Sequence, residues 1–505
     1  MSKGIMANSL LNAAAGLTML VTGFACSIIA ARLLGPEANG IITFSFWLST
    51  TATMIAGLGT DVILPRMLPQ LKARGYDAMA RRGFGAHLAR VVVTVVFFIL
   101  CLYAASYYET ERLHWASTAP DVLIITGLLF LVQSLGMMSI SFMIGEQQVS
   151  TFFKLTLISA ALQLSVVLFG ALYYGVAGAL VGYVVGQGVF FVYAIRLFAV
   201  RPNACGTHAG TLAGSSAVIS LQIVIDSIFL NRIELLFLQQ FHGVQLVGFY
   251  AIGLSLANLA LQLPVQLTGT LVPYYTEQLQ AQPNGKLPVR LFEDLIRSLA
   301  YFTLPMSLGL AAISWEMVSE VYGEAFLPAG NIVAILALSA PVSVFVQIAT
   351  KYLFAIDRER DRLKIGIAGA IAMVLGCLAL VPHFGGEGAA LTRIAALLIM
   401  SVLLVRRMDF DGSLAPMFAS LVRILVASIG CAVAAFFVAD AIDGLAGVGL
   451  AILAGVAVYA LALRLLRVVP PDDIALMERL LQKLPGRLKG PGRHMLNLIA
   501  SGKPV

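Results

Sequence analysis

The chemistry open to this chain rests on a few polar and charged side chains set in long apolar runs. Asn258, Gln262 and Gln266 are spaced at i, i+4 and i+8 in the run VGFYAIGLSLANLALQLPVQLTGTL, so one helix face holds all three. Amides facing lipid would lack partners, so that face must turn toward protein or water. Each amide both donates and accepts, which suits sugar hydroxyls; the same groups also serve hydrogen bonding between helices. Tyr183 and Gln187, at i and i+4 in another run, offer similar chemistry. Arg393 lies one turn inside an apolar run. Its guanidinium can donate paired hydrogen bonds to phosphate oxygens; a buried structural pair or snorkelling to the nearby surface are the alternatives. Arg232 and Glu234 close a further run, with Asp226 two turns before Glu234 on one face and Gln222 four residues earlier. That face fits sugar hydroxyls or a coupling cation, and equally an internal Arg–carboxylate pair. Arg32 ends the first run, where snorkelling also accounts for it.

Those side chains need helices that cross a membrane. The chain has 505 residues, 59% apolar and 12% charged, where a soluble domain carries about 25% charge. Such a chain has no soluble surface and reads as an all-α polytopic membrane protein. Spans of about 20 apolar residues number roughly fourteen: 10–31, 40–62, 87–106, 121–144, 153–173, 177–198, 212–233, 247–271, 296–320, 331–353, 364–382, 387–405, 416–439 and 445–466. The first run is too long for a signal-peptide core and reads as a retained helix. With the N-terminus placed in the cytoplasm, all of the 33 Lys and Arg except Arg32, Arg112, Arg232 and Arg393 fall on the inner side. The net charge of +7 is thus a topology signal facing anionic lipid headgroups, and it argues against nucleic acid as a partner. The five cysteines are scattered without a CxxC pair and the histidines lack HExxH spacing. Neither a disulfide framework nor a metal site is supported, and no GxxxxGK[ST] loop occurs for nucleotide hydrolysis. No cofactor is implied.

A weak internal repeat organises the spans. Gly40 and Pro65 bracket one apolar helix with the spacing of Gly248 and Pro273 around another, and YYGVAGALVGY (173–183) matches HFGGEGAALTR (383–393) through Gly175 and Gly178 against Gly385 and Gly388. The offsets of 208 and 210 residues imply two parallel six-helix repeats, an arrangement that places a substrate site between halves. The expected architecture is two pseudo-symmetric six-helix bundles (1–205 and 206–408), two peripheral membrane helices (409–468), and a cytoplasmic basic tail (469–505) with one amphipathic interfacial helix, DIALMERLLQKL. The Ser/Thr run Ser45, Ser49, Thr50, Thr51 and Thr53 reads as packing. The alternating cluster from Asp357 to Arg362 reads as a solvated loop with local ion pairs, with an inner gate as the alternative.

The segments AARLLGPEANGIITFSFWLS, GLGTDVILPRMLPQL, VGFYAIGLSLANLALQLPVQLTGTLVPYYTE and YLFAIDRERDRLKIGIAG resemble the bacterial polysaccharide and O-antigen flippases of the multidrug/oligosaccharidyl-lipid/polysaccharide exporter superfamily. The resemblance covers residues 5–465. It implies two bundles around a central cavity and alternating access. Sister lipid II flippases carry arginines within the first helix, and LTMLVTGFACSIIA has none, which favours another undecaprenyl-linked glycan. The expected function is to flip undecaprenyl-diphosphate-linked oligosaccharide, an exopolysaccharide or O-antigen repeat unit, across the bacterial inner membrane. The protein would be a monomer with both termini cytoplasmic, bathed in membrane lipids, with glycan polymerase or export machinery as further partners. It would not be an enzyme. A cation-coupled drug antiporter of the same superfamily is the alternative, kept open by Asp226 and Glu234. A glycan polymerase or ligase needs a sizeable outer loop, and the short loops speak against it.

Overall fold

The computed structural model describes residues 2–107, 120–200, 221–222, 224–230, 232–268, 275, 289–356, 358–408, 415–466 and 468–470, and not the side chains of 2–10, 106–107, 262–268 and 415–416. In chain order the helices are α1 (Ser2–Gly57), α2 (Thr60–Ala73), α3 (Ala78–Tyr107), α4 (Pro120–Gly145), α5 (Val149–Phe198), a π-helical turn (Asp226–Leu230), α6 (Glu234–His242), α7 (Val244–Thr268), α8 (Val289–Ala312), α9 (Ser314–Tyr322), a 3-10 turn (Glu324–Ala329), α10 (Gly330–Ala355), α11 (Glu359–Arg407), α12 (Ala415–Ala441) and α13 (Gly444–Leu465). No strand occurs among the described residues. The expected tail helix and most of the loop 107–120 lie outside them.

Glycine sets the hairpins. Gly35 breaks α1 at φ 82° and ψ −178°, and Gly243, 208 positions later, joins α6 to α7 at φ 80° and ψ −178°. Gly175 breaks α5 at φ 59° and ψ −136°, and Gly385, 210 positions later, breaks α11 at φ 54° and ψ −127°. Positive φ strains any residue with a Cβ, so glycine at these points keeps each pair of arms folded back on itself. The matched dihedrals give the repeat a structural form. Close packing follows the same rule: a Cβ on Gly178 would overlap the Gly170 carbonyl, and one on Gly388 would overlap the Leu380 carbonyl, its image at the 210 offset.

Ten described helices are long and apolar enough to cross a membrane, and the broken ones, α1, α5 and α11, offer 47, 50 and 49 such residues. A single crossing takes about 20 residues, so each of these crosses twice. The expected spans are thereby matched except the seventh, of which 212–220 lie outside the described residues. Its expected outer limit at 233 is corrected: after a bend at Arg232 the segment resumes as α6, runs to His242 and turns at Gly243. Arg232 consequently stands at the bend and Glu234 opens α6, so neither ends the segment.

The chain forms two compact units, Met1–Ala251 with Arg362–Ala389, and Ile252–Asp361 with Ala390–Val505. In the first, α1, α4 and α5 pack together with α2 laid on α4, and Leu64, Leu68, Val92, Val96, Phe130, Met138 and Phe142 form a core among α2, α3 and α4. In the second, α12 and α13 dock on α8: Ala300, Tyr301, Ile424 and Leu463 are buried together, and the Tyr459 hydroxyl donates to the Tyr301 carbonyl at 2.9 Å. A largely apolar groove of about 220 Å³ lies among α8, α10 and α12, lined by Ala300, Val344, Phe345, Phe418 and Val422.

Candidate functional site

The seventh segment sets Asp226, Arg232 and Glu234 within the first unit. It enters as helix at Leu221 and Gln222, passes through the π-helical turn, bends at Arg232, and resumes as α6. A π-turn inserts an extra residue, so the regular spacing that would put Asp226 and Glu234 on one face is lost. Each carboxylate has found its own partner.

Asp226 is held from two sides. The Gln222 amide, 2 % exposed, donates to Asp226 Oδ1 at 2.8 Å. Arg362 Nη2, at the start of α11, donates to Asp226 Oδ2 at 2.9 Å. The Arg362 side chain is 5 % exposed and that of Asp226 28 %. Gly366, one turn further along α11, makes the room: a Cβ there would lie 2.7 Å from Gln222 Nε2 and 2.9 Å from Arg362 Nη1. The pairing matters because a lone buried charge costs several kcal/mol. Glu234 is fully buried; it accepts the Tyr250 hydroxyl of α7 at 2.9 Å, and Cys377 of α11 lies within its electrostatic reach. At the top of α6, His242 Nε2 meets the Val381 carbonyl at 2.8 Å. The segment is thus fastened to the first arm of α11 at two heights, by Arg362 and by the Val381 carbonyl, and to α7 by Tyr250.

Arg232 is half-buried at the bend, beside these carboxylates in the chain. Arg32 is exposed on α1, just before the Gly35 turn. Tyr183 is half-buried with its ring 5.5 Å from that of Phe46, and Gln187 is half-buried one turn on. In the second unit, Arg393 is half-buried eight residues past Gly385, the place Tyr183 holds past Gly175. Asn258 is half-buried on α7, and the side chains of Gln262 and Gln266 lie outside the described residues.

Two participants escaped the sequence reading. Arg362 is hidden in the run Asp357 to Arg362, where every residue is charged and the sign alternates, yet it alone of the described members is buried. The remainder keep the solvated character expected of them: Arg358 caps the Arg407 carbonyl at 2.9 Å, and Asp361 lies 4.0 Å from the Arg407 guanidinium. Tyr250 gave no signal at all, being one aromatic in an apolar run. Three members of the Ser/Thr run of α1 are met by α4: Ser49 donates to Gln133 at 2.9 Å, Gln133 donates to Thr50 at 3.1 Å, and Thr53 pairs with Ser134 at 3.1 Å. These bonds bear out the packing reading.

Residues 29–331 match the family described as polysaccharide biosynthesis protein. The chain belongs to that family. The polysaccharide biosynthesis match takes in Asp226, Glu234 and Asn258, while Arg362 and Arg393 lie beyond it. Comparison with curated proteins gives no match. Among solved structures, the chain is similar to a lipid II flippase, MurJ, in an inward closed conformation, with 15% identity, TM-score 0.68, and coverage of 90% of this chain and 98% of that one. It is also similar to multidrug resistance MATE family transporters of the MOP superfamily. An inward-facing one gives 13% identity, TM-score 0.59, and 81% and 99% coverage; an outward-facing one gives 14%, 0.53, and 79% and 93%. The fold of this polysaccharide biosynthesis protein is therefore the two-bundle helical fold of that superfamily.

Proposed function

We propose that the protein flips an undecaprenyl-diphosphate-linked oligosaccharide from the cytoplasmic to the outer leaflet of the bacterial inner membrane. Membership in a polysaccharide biosynthesis family, on a fold whose relatives include a lipid II flippase, is the observation that carries this reading. The distribution of polar groups supports it. Arg232 and Arg393 sit within membrane segments, where an ionisable side chain is costly and defaults to a functional role, and each offers the forked donors that phosphate oxygens accept. Asn258, Gln262, Gln266, Tyr183 and Gln187 supply neutral donors and acceptors for sugars. The repeats 1–205 and 206–408 would rock about the polar headgroup, with the polyprenyl tail left in lipid. An ion gradient, the membrane potential or consumption of the product outside would drive the cycle. The protein would act as a monomer with both termini in the cytoplasm, the orientation that the Lys and Arg asymmetry favours. Drug antiport is the second reading. It needs a carboxylate available to a cation, and the engagement of Asp226 by Arg362 weighs against it.

The test is glycan export in a deletion strain carrying either wild type or Arg393→Ala. Loss of a charge-assisted phosphate contact, about 1.5–3 kcal/mol, lowers export roughly 10- to 100-fold with the mutant protein still present in the membrane. Normal export from the deletion strain, together with drug sensitivity, would replace the flippase with the antiporter.

A further inference from the structure

One contact in the first unit has a symmetry that the individual helices do not require. The second arm of α1 and the start of α7 cross backbone to backbone. A Cβ built on Gly40 would overlap the Val244 carbonyl, and a Cβ built on Gly248 would overlap the Pro36 carbonyl. Pro36 and Val244 stand 208 positions apart, as do Gly40 and Gly248. Each glycine therefore meets the repeat image of the residue that the other glycine meets. Reciprocity of this kind is the mark of a two-fold contact, here a local two-fold between two arms of one chain. Each arm leaves a glycine turn of the same geometry, Gly35 and Gly243. The symmetry fails at one point: Asn39 Nδ2 donates to the Gly248 carbonyl at 3.2 Å, and its image is Val247, which has no donor.

We infer that this Gly40–Gly248 crossing is the outer closure of the transport cycle, a contact made when the outer side is shut and parted when it opens. The inference rests on the transport reading and on the inside-positive orientation, which puts both glycine turns on the outer side. Three features suit a contact that must open and close. Small residues bring two backbones together without interlocking side chains. The contact carries one side-chain hydrogen bond, worth about 1 kcal/mol net, so it does not trap the closed form. It is also locally two-fold, so opposite rotations of the two arms separate them symmetrically. A single added methyl group would meet rigid carbonyls and not flexible side-chain ends, so Gly40→Ala and Gly248→Ala hold the arms apart and favour the outward-open form.

Glu37 and Gln245, exposed on the two turns at the same repeat position, report the separation. Spin labels on Glu37→Cys and Gln245→Cys, in an otherwise cysteine-free protein reconstituted in nanodiscs, give the distance distribution by pulsed electron resonance. The labelled parent populates a short distance. Gly40→Ala and Gly248→Ala each lose most of that population to longer distances, and Asn39→Ala loses a smaller part. A reducible bis-maleimide bridge between the same two cysteines abolishes export, and cleaving it restores export. Unchanged distances in both alanine variants, or full export through the bridged protein, would overturn the closure. The distance arm needs no substrate. If the distances shift as stated while deletion of the protein leaves glycan export intact, the closure stands and the substrate reading falls.

Discussion

The first arm of α1 and the seventh segment occupy the same place in the two repeats, yet they solve the membrane differently. Both end at a glycine turn of the same dihedrals, Gly35 and Gly243. At the 208 offset Thr18 corresponds to Asp226, Phe24 to Arg232 and Cys26 to Glu234. The first arm is unbroken helix and has no Asp, Glu, Lys, Arg or His between Lys3 and Arg32. Its polar side chains are neutral: Thr18 bonds the Ala14 carbonyl one turn back at 2.8 Å, and Cys26 accepts from Gln163 of α5 at 3.7 Å. The seventh segment has a π-turn and a bend, and its carboxylates draw partners from α7 and α11. One backbone frame thus accepts either an apolar sequence or a charged one, and the charged one holds only because Arg362 and Tyr250 meet its carboxylates. Stability does not account for that choice, since replacing a buried ion pair by apolar residues is often neutral or stabilising.

The largest effect should come from leaving one charge of the pair alone. Arg362→Met strands Asp226, and a broken buried pair costs about 3–5 kcal/mol. The Asp226 side chain retains 28 % exposure, which puts the loss near the lower figure. The double variant Asp226→Leu/Arg362→Met makes the segment resemble its apolar image. Thermal unfolding in detergent should show a large drop for the single variant and recovery of most of it for the double, while export stays lost in both. A double variant as unstable as the single would show that the pair is needed for folding, and the contrast between the repeats would lose its functional meaning.

Tyr250→Phe comes next. It removes the hydroxyl that serves a fully buried carboxylate, and an unsatisfied buried group costs about 1–3 kcal/mol. Gly366→Ala belongs in the same range, since overpacking costs about 1–3 kcal/mol, but part of it is relieved by movement of Gln222. Both are read by the same unfolding measurement. If Tyr250→Phe is silent, Glu234 is satisfied without α7, and the partner-dependence drawn above does not extend to it.

These partnerships mark where sequence reading stops. The repeat was legible because glycine at a positive-φ turn is a local requirement: Gly175 and Gly385 announce their hairpins within a few residues. Spans were legible because twenty apolar residues in a row are local as well. A charged residue ordinarily marks a helix end, so the sequence places the limit of the seventh span at the pair Arg232 and Glu234, short of the turn at Gly243. Both are instead inside the segment, which the fold permits by supplying Tyr250 to Glu234. Arg362 meets Asp226 across 136 positions, and no spacing rule spans that distance. Its charged neighbours disguised it further, since burial and not residue type distinguishes it from Arg358 and Arg360.

The smallest effect tests the apolar side of the comparison. Cys26 is the image of Glu234 and is buried to the same degree. Its thiol takes one long contact from Gln163, whose side chain also packs against Gly186. A thiol is a weak acceptor, and Ala is close to it in size, so Cys26→Ala should cost less than about 1 kcal/mol, within the range of substitutions that leave no cavity or buried unpaired charge. Glu234→Ala in the same assay removes a buried carboxylate and leaves the Tyr250 hydroxyl without its acceptor, so its loss should exceed that of Cys26→Ala. Equal losses at the two positions would mean that the frame tolerates truncation alike in both repeats, and the charge in the seventh segment would then set no structural demand of its own.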